Sequence, residues 1–255
     1  MRGVSLEEVQ KASLMRRKDS KYVFDVSLLP ALLKEISAQY RVLEITKVRS
    51  QDYQTFYYDT PDLAMYHMHH RGLVNRHKIR FRRYGSSNNM FLEVKMKNGK
   101  GVTLKNRMET GNGEVAIKST EEEFLAKFTP FHCRNIVPVL ENSFNRITLV
   151  NESQTERITL DYNLLFTCSA SKESIEVPGV AIAEIKYGDH LAGSVFHAAL
   201  HHKGINSCRI SKYCIGMAIL NPCLKQNRFK EKVRYVRKIN TYHFKSLNLV
   251  PCPNF

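Results

Sequence analysis

Charged side chains recur two residues apart in six segments of this chain, with apolar residues between or beside them. The charged positions are Asp19 and Lys21; Lys78, Arg80 and Arg82; Glu93, Lys95 and Lys97; Lys105 and Arg107; Arg157 and Asp161, spaced through Thr159; and Glu184 and Lys186. Tyr22, Ile79, Phe81, Val94, Met96, Leu160 and Ile185 take the alternate positions. Successive side chains of a strand point to opposite faces, so each segment reads as a strand with one ionic and one greasy face. One such strand describes an ordinary half-exposed sheet. Six, with Lys and Arg dominant, predict a closed arrangement in which the charged faces share an interior and the apolar faces lie under helices. That inverts the usual small barrel, whose interior is filled by apolar side chains. A ring of cations repels itself unless an anion fills it, so the pattern points to a polyphosphate or nucleoside triphosphate site.

The remaining elements follow from local signals. Ser5-Leu-Glu-Glu8 has the form of a capping box and predicts a helix running toward Met15. Residues 19–26 read as a strand, and 27–40 as an amphipathic helix with Pro30 in its first turn. Strands are expected at 42–49 and 54–58, then a short helix at 60–70 closed by Arg71-Gly72. Three closely spaced strands follow at 75–84, 90–97 and 101–107, separated by turn residues, among them Asn98-Gly99. Thr120-Glu-Glu-Glu123 predicts a cap for a helix to Phe128. Strands are expected at 138–140, 144–150, 156–162, 163–170 and 181–187, a helix at 189–203, and a last helix after Ser211. The chain reads as α+β, with antiparallel strands and helices packed outside.

Charge sharpens this picture. The net charge of +15 makes phosphates, nucleic acid or an acidic membrane surface the expected partners. The excess is uneven: between Lys225 and Lys245, eight basic residues face one acid, Glu231. This basic tail is expected to be solvated, with electrostatic capture of polyphosphate or an acidic membrane as a side role. Six cysteines form no C-x-x-C pair and match no zinc module. The polar start does not read as a signal peptide, and no apolar run approaches the roughly 18–20 residues of a membrane span. The expectation is a reduced, cytoplasmic protein with free thiols.

The ordered motifs carry a resemblance. They are Arg17-x-Asp19-x-Lys21-Tyr22; Tyr57-Tyr58-Asp59-Thr60; Lys78-Ile-Arg80-Phe-Arg82; Glu93-Val-Lys95; Lys105-Asn-Arg107; Arg146; Arg157-Ile-Thr-Leu-Asp161; Glu184-Ile-Lys186; and Ser211-Lys212-Tyr213. Over about residues 17–213 the chain resembles the VTC (vacuolar transporter chaperone) domain, the polyphosphate polymerase branch of the triphosphate tunnel metalloenzymes. The resemblance implies an eight-stranded antiparallel β-barrel, the tunnel, with helices packed outside. It implies an N-terminal helix over 1–16, the tunnel domain over 17–220 and the basic tail over 221–255. Lys21, Lys95, Lys105 and Lys186 would bind phosphates, Arg80, Arg82, Arg146, Arg157 and Lys212 would act on the transferred phosphoryl group, and Glu184 would hold Mn²⁺ or Mg²⁺. The substrates would be ATP and inorganic polyphosphate or pyrophosphate, the polymer leaving a tunnel open at both ends.

One departure from the pattern bears on activity. Hydrolytic relatives open with Glu-x-Glu-x-Lys, two metal carboxylates on one strand face. Here Arg17 replaces the first and Asp19 the second, which weakens a water-activating metal site and favours polymerase over triphosphatase. Asp19 is expected to pair with a neighbouring cation. Tyr57, Tyr58 and Asp59 are read as structural, His67, His69 and His70 as a solvated helix end, and the cysteines as small buried apolar residues. The rival readings are an inorganic or nucleoside triphosphatase on the same tunnel and a non-catalytic polyphosphate-binding module. Nucleic acid is disfavoured, because the cations alternate with apolar residues, acids are mixed among them, and the chain has no Trp.

Overall fold

The computed structural model describes residues 1–11, 18–85, 89–99, 102–111, 115–188 and 191–246; Arg17 and Cys252 lie outside them. In chain order the elements are β1 (Gly3–Val4), α1 (Leu6–Lys11), β2 (Lys18–Asp25), α2 (Leu29–Glu35), β3 (Tyr40–Leu43), β4 (Gln51–Asp59) and α3 (Ala64–Arg71). They continue as β5 (Arg76–Tyr84), β6 (Met90–Lys97), β7 (Thr103–Thr110), α4 (Ser119–Phe128), β8 (Val137–Asn151), β9 (Glu156–Cys168), β10 (Ser174–Val177) and β11 (Val180–Tyr187). The last are α5 (Val195–His202), α6 (Lys212–Leu220) and α7 (Lys230–Ser246).

Eight strands form one antiparallel path, β2-β11-β9-β8-β4-β5-β6-β7. Its end strands share no ladder among the described residues, yet Lys21 of β2 and Lys105 of β7 line one cavity, so the sheet curls around a common interior. The alternation lands as the sequence predicts. Tyr22, Phe24, Ile158, Leu160, Ala183 and Ile185 are buried on the outer face with α2 and α5. Ile79, Phe81, Leu92 and Val94 are buried with Leu125 of α4.

Several boundaries differ from the sequence expectation, each for a physical reason. The helix expected over 27–40 is a 3₁₀ turn at Val26–Leu28 followed by α2, because Tyr40–Leu43 pairs with β8. The two strands expected on either side of 141–143 are the single β8, with a bulge between Ser143 and Asn145. Its polar run resembles a turn, but the Asn142 amide donates to the Leu165 carbonyl (2.9 Å) and keeps the ladder running. The break expected at 162–163 is likewise absorbed within β9, where Asn163 adopts the left-handed conformation (φ 51°) and donates to Asn145 Oδ1. The cap expected at Thr120 falls at Lys118, whose N–H donates to Glu121 Oε2 (3.0 Å). The capping box at Ser5 and Glu8 forms as read.

Two helices matter for the site. The core of α6 is apolar all round and buried from Tyr213 to Ile219, as a helix enclosed on every side must be. It packs on Val23, Tyr57 and Ile182, so it stands across one end of the barrel interior. The open-ended tunnel of the sequence reading is therefore corrected: this end is filled. The basic tail is also corrected in part. Residues 230–246 form α7, whose Val233, Val236 and Ile239 are buried against the same cluster as α6, with Asn240 donating to the Glu176 carbonyl and accepting from the Gly179 N–H. Burying three such side chains contributes roughly 1.5–3 kcal/mol each, which holds the helix on the core.

Candidate active site in the cationic tunnel

The interior holds a cavity of about 670 Å³. All ten residues singled out from the sequence line it: Lys21, Arg80, Arg82, Lys95, Lys105, Arg146, Arg157, Glu184, Lys186 and Lys212. The strand register explains why they meet. Across β5, β6 and β7, Arg80, Glu93 and Arg107 stand in one row, and Lys78, Lys95 and Lys105 in the next. Across β2, β11, β9 and β8, Lys21, Glu184, Thr159 and Thr148 form a row, and Asp19, Lys186 and Arg157 lie in the row beyond.

Three carboxylates organise these cations. Glu93 is fully buried; its Oε2 accepts from Arg80 (Nη2 2.6 Å, Nε 2.7 Å) and its Oε1 from Lys105, with Arg82 at 3.9 Å. Burial alone would raise its pKa, but Arg80, Arg82 and Lys105 outweigh that and hold it well below the carboxylate range. Asp161 accepts a bidentate pair from Arg146 (2.5 and 2.7 Å) and a third bond from Lys212, which hold it ionised against the same burial. Glu184 accepts from Lys21 on one oxygen and Lys186 on the other, and is likewise held low despite burial. Asp19 pairs with Lys186 at 3.1 Å, as read from the sequence.

Burial weighs on the lysines as well. Lys95 makes no hydrogen bond to another described side chain; burial, then Arg80, lowers its pKa to about 6. Burial also lowers Lys78 and Lys212 to about 8. Arg146 stacks over the Tyr53 ring at 4.6 Å, which fixes its plane.

Sequence reasoning put three further lining residues on the ionic strand faces but gave them no role in the site. Lys78 has the same strand parity as Arg80 and Arg82, which is the signal that could have given it one. Its Nζ donates to Ser211 Oγ (2.8 Å), the oxygen that caps α6 by accepting from Cys214 N–H. Arg107 also lines the cavity, its guanidinium 4.5 Å from the Phe91 ring centroid. Asp161 appeared in a motif but was assigned no role. Asp59 is structural, accepting from the Met65 and Tyr66 N–H groups at the start of α3 and from the Tyr213 hydroxyl. The histidines of α3 are not a solvated end: His70 is buried, and the buried Nε2 of His69 has no partner among the described residues. Of the five described cysteines, all free, Cys214 is buried and Cys223 is exposed, so burial does not hold for every one.

Among the described residues no three His, Cys, Asp or Glu side chains group as a metal cage. Glu184, the metal ligand expected from the sequence, has one oxygen occupied by Lys21 and the other by Lys186. No described helix is long and apolar enough to cross a membrane.

The VTC domain profile matches residues 16–221. No curated protein sequence matches the chain. Among solved structures it is similar to a Hippeastrum adenylyl cyclase candidate with a dominant triphosphatase activity (TM-score 0.49, 13% identity, covering 80% of this chain and 96% of that one). It is also similar to a candidate adenylate cyclase of Vibrio parahaemolyticus (0.45, 12%, 79% and 97%) and to a protein of Pyrococcus horikoshii OT3 (0.43, 16%, 77% and 95%). The chain belongs to the VTC domain family.

Proposed function

We propose that this protein is a polyphosphate polymerase, transferring the γ-phosphoryl group of ATP to the end of an inorganic polyphosphate chain. The observation that carries the reading is the composition of the tunnel wall: eleven basic side chains line it against two acidic ones, Asp161 and Glu184, both already ion-paired. Such a wall suits a run of phosphates on substrate and acceptor together. A metal-activated water would call for a set of carboxylates, which the described residues do not group.

In this reading Lys21, Lys95, Lys105 and Lys186 bind the phosphate chain as point charges. Arg82 and Arg157 present guanidinium donors to the equatorial oxygens of the transferred group, and Arg80 and Arg146 add the N–H groups not engaged by Glu93 and Asp161. Lys212 approaches from the first turn of α6. A terminal phosphate oxygen of the acceptor attacks the γ-phosphorus, the bond to the β–γ bridging oxygen breaks, and ADP leaves with that electron pair. The attacking oxygen is already anionic at neutral pH, so catalysis rests on position and charge rather than on a base. Mn²⁺ or Mg²⁺ on Glu184 would neutralise charge on the phosphate oxygens, once Lys21 and Lys186 turn from Glu184 to the substrate. With α6 across one end, the polymer leaves by the other.

Arg80→Ala and Lys212→Ala test the assignment. Both are expected to lose ATP-dependent polymer formation by about two orders of magnitude or more while keeping the circular dichroism of the parent. Full activity in either variant removes that residue from the mechanism.

A further inference from the structure

A second concavity, of about 360 Å³, lies beyond the far end of α6, between the 221–229 segment and the first turns of α7. Lys225, Lys230, Arg234 and Arg237 line it together with Pro222 and Val233, and no acidic residue does. Lys230, Arg234 and Arg237 are spaced i, i+4, i+7, so α7 presents them on one face. The tunnel balances its cations with buried carboxylates; this cavity has no such partner on its wall, and like charges held together without one are unfavourable.

Two further observations point to a ligand. The Nε of Arg237 is buried and has no acceptor among the described residues, whereas buried polar groups are nearly always partnered. The segment is also held in place: Tyr66 donates to the Lys225 carbonyl (3.2 Å), Arg228 Nη1 to the Arg71 carbonyl (3.1 Å) and Arg228 N–H to His70 Nε2 (3.5 Å). The local field is positive enough that Lys225, His67, Arg228 and Arg71, after burial, hold the His70 imidazole below its ordinary pKa.

We infer that this cavity is a second anion site, separate from the tunnel, that binds a soluble anion carrying two or more phosphate groups. Arg237 supplies the buried donor, Arg234 and Lys230 close over the phosphates from α7, and Lys225 meets them from the loop. Guanidinium and ammonium donors in one concavity suit adjacent phosphates better than a single carboxylate.

The test uses the full chain and inorganic tripolyphosphate. Hydrogen exchange and equilibrium dialysis are run on the parent and on the Lys230→Ala/Arg234→Ala double variant, whose replaced side chains are both exposed. The parent is expected to bind at two sites and to gain protection both on the tunnel strands and over 222–237. The double variant keeps the tunnel protection and loses that over 222–237, its second-site affinity falling about tenfold or more. A single site in the parent, or protection over 222–237 that survives the double substitution, overturns the proposal. Vesicles with phosphorylated headgroups form the other arm. Retention on them through Lys230 and Arg234, with no effect of tripolyphosphate over 222–237, overturns the soluble ligand in favour of a lipid phosphate. Loss of tunnel protection with 222–237 still responding counts against the polymerase reading alone.

Discussion

Lys95 stands between Lys78 and Lys105 in its row, and burial, then Arg80 and Arg82, outweigh Glu184 and Glu93 and lower its pKa to about 6. In the empty tunnel it is largely neutral at pH 7.5. A bound polyphosphate stabilises the ammonium and raises that pKa, so binding takes up a proton. The sign for folding follows from the same shift. The unfolded chain binds more protons between about pH 6 and the ordinary lysine range, so the group's cost to stability is full below pH 6 and fades as pH rises. Calorimetry of tripolyphosphate binding at pH 7.5, in buffers of different ionisation heat, is expected to show net proton uptake that shrinks in Lys95→Met, with affinity falling as pH rises from 6 to 8. Binding without proton uptake contradicts this. At this scale the sequence was informative because strand parity alone aims Arg80, Arg82, Lys95 and Glu184 inward. Which cation would be left without a carboxylate was not legible, since it depends on cross-strand partners such as Glu93 for Arg80 and Asp161 for Arg146.

At the scale of elements, α6 couples the core to the site. A Cβ at Gly216 would stand 2.5 Å from Phe166 Cδ1 and 2.8 Å from Leu140 Cδ2. Gly216→Ala gains about 1 kcal/mol of helix propensity, but overpacking a buried helix costs roughly 1–3 kcal/mol. The expected net is a destabilisation of about 1 kcal/mol in denaturant unfolding, with reduced turnover as the first turn of α6 carries Lys212 away from Asp161. A variant as stable and active as the parent shows that α6 is not fitted this closely. The local signals for α1 and for β5 to β7 were legible because capping and turn residues set them. The continuity of β8 and β9 was not, because Asn142, Asn145 and Asn163 look like turn residues until their amides find partners in the neighbouring strand. The docking of α7 was hidden by its charge: Val233, Val236 and Ile239 carry the buried face between basic positions.

Among the described residues, basic side chains gather in the tunnel and in the concavity behind α6. The tunnel is closed at one end by α6, and away from it the inner faces of β9 and β11 continue to Arg157 and Lys186. In the proposed reading a phosphate chain enters from the end away from α6, with Arg146 and Lys212 at the inner end beside Asp161. The ionic interior and the helix-covered outside were legible from alternation alone, because both faces of each strand must be satisfied. The filled end was not, since an apolar helix such as α6 carries no mark of where it docks. The most direct test of the central claim is product analysis after incubation with ATP, Mn²⁺ and a tripolyphosphate primer, using a polyphosphate gel with free phosphate assayed in parallel. A polymerase gives a ladder of lengthening polymer with ADP released in step, and that is the expected result. Free phosphate without polymer would contradict it and identify a triphosphatase, and neither product, with polyphosphate still bound, would leave a binding module.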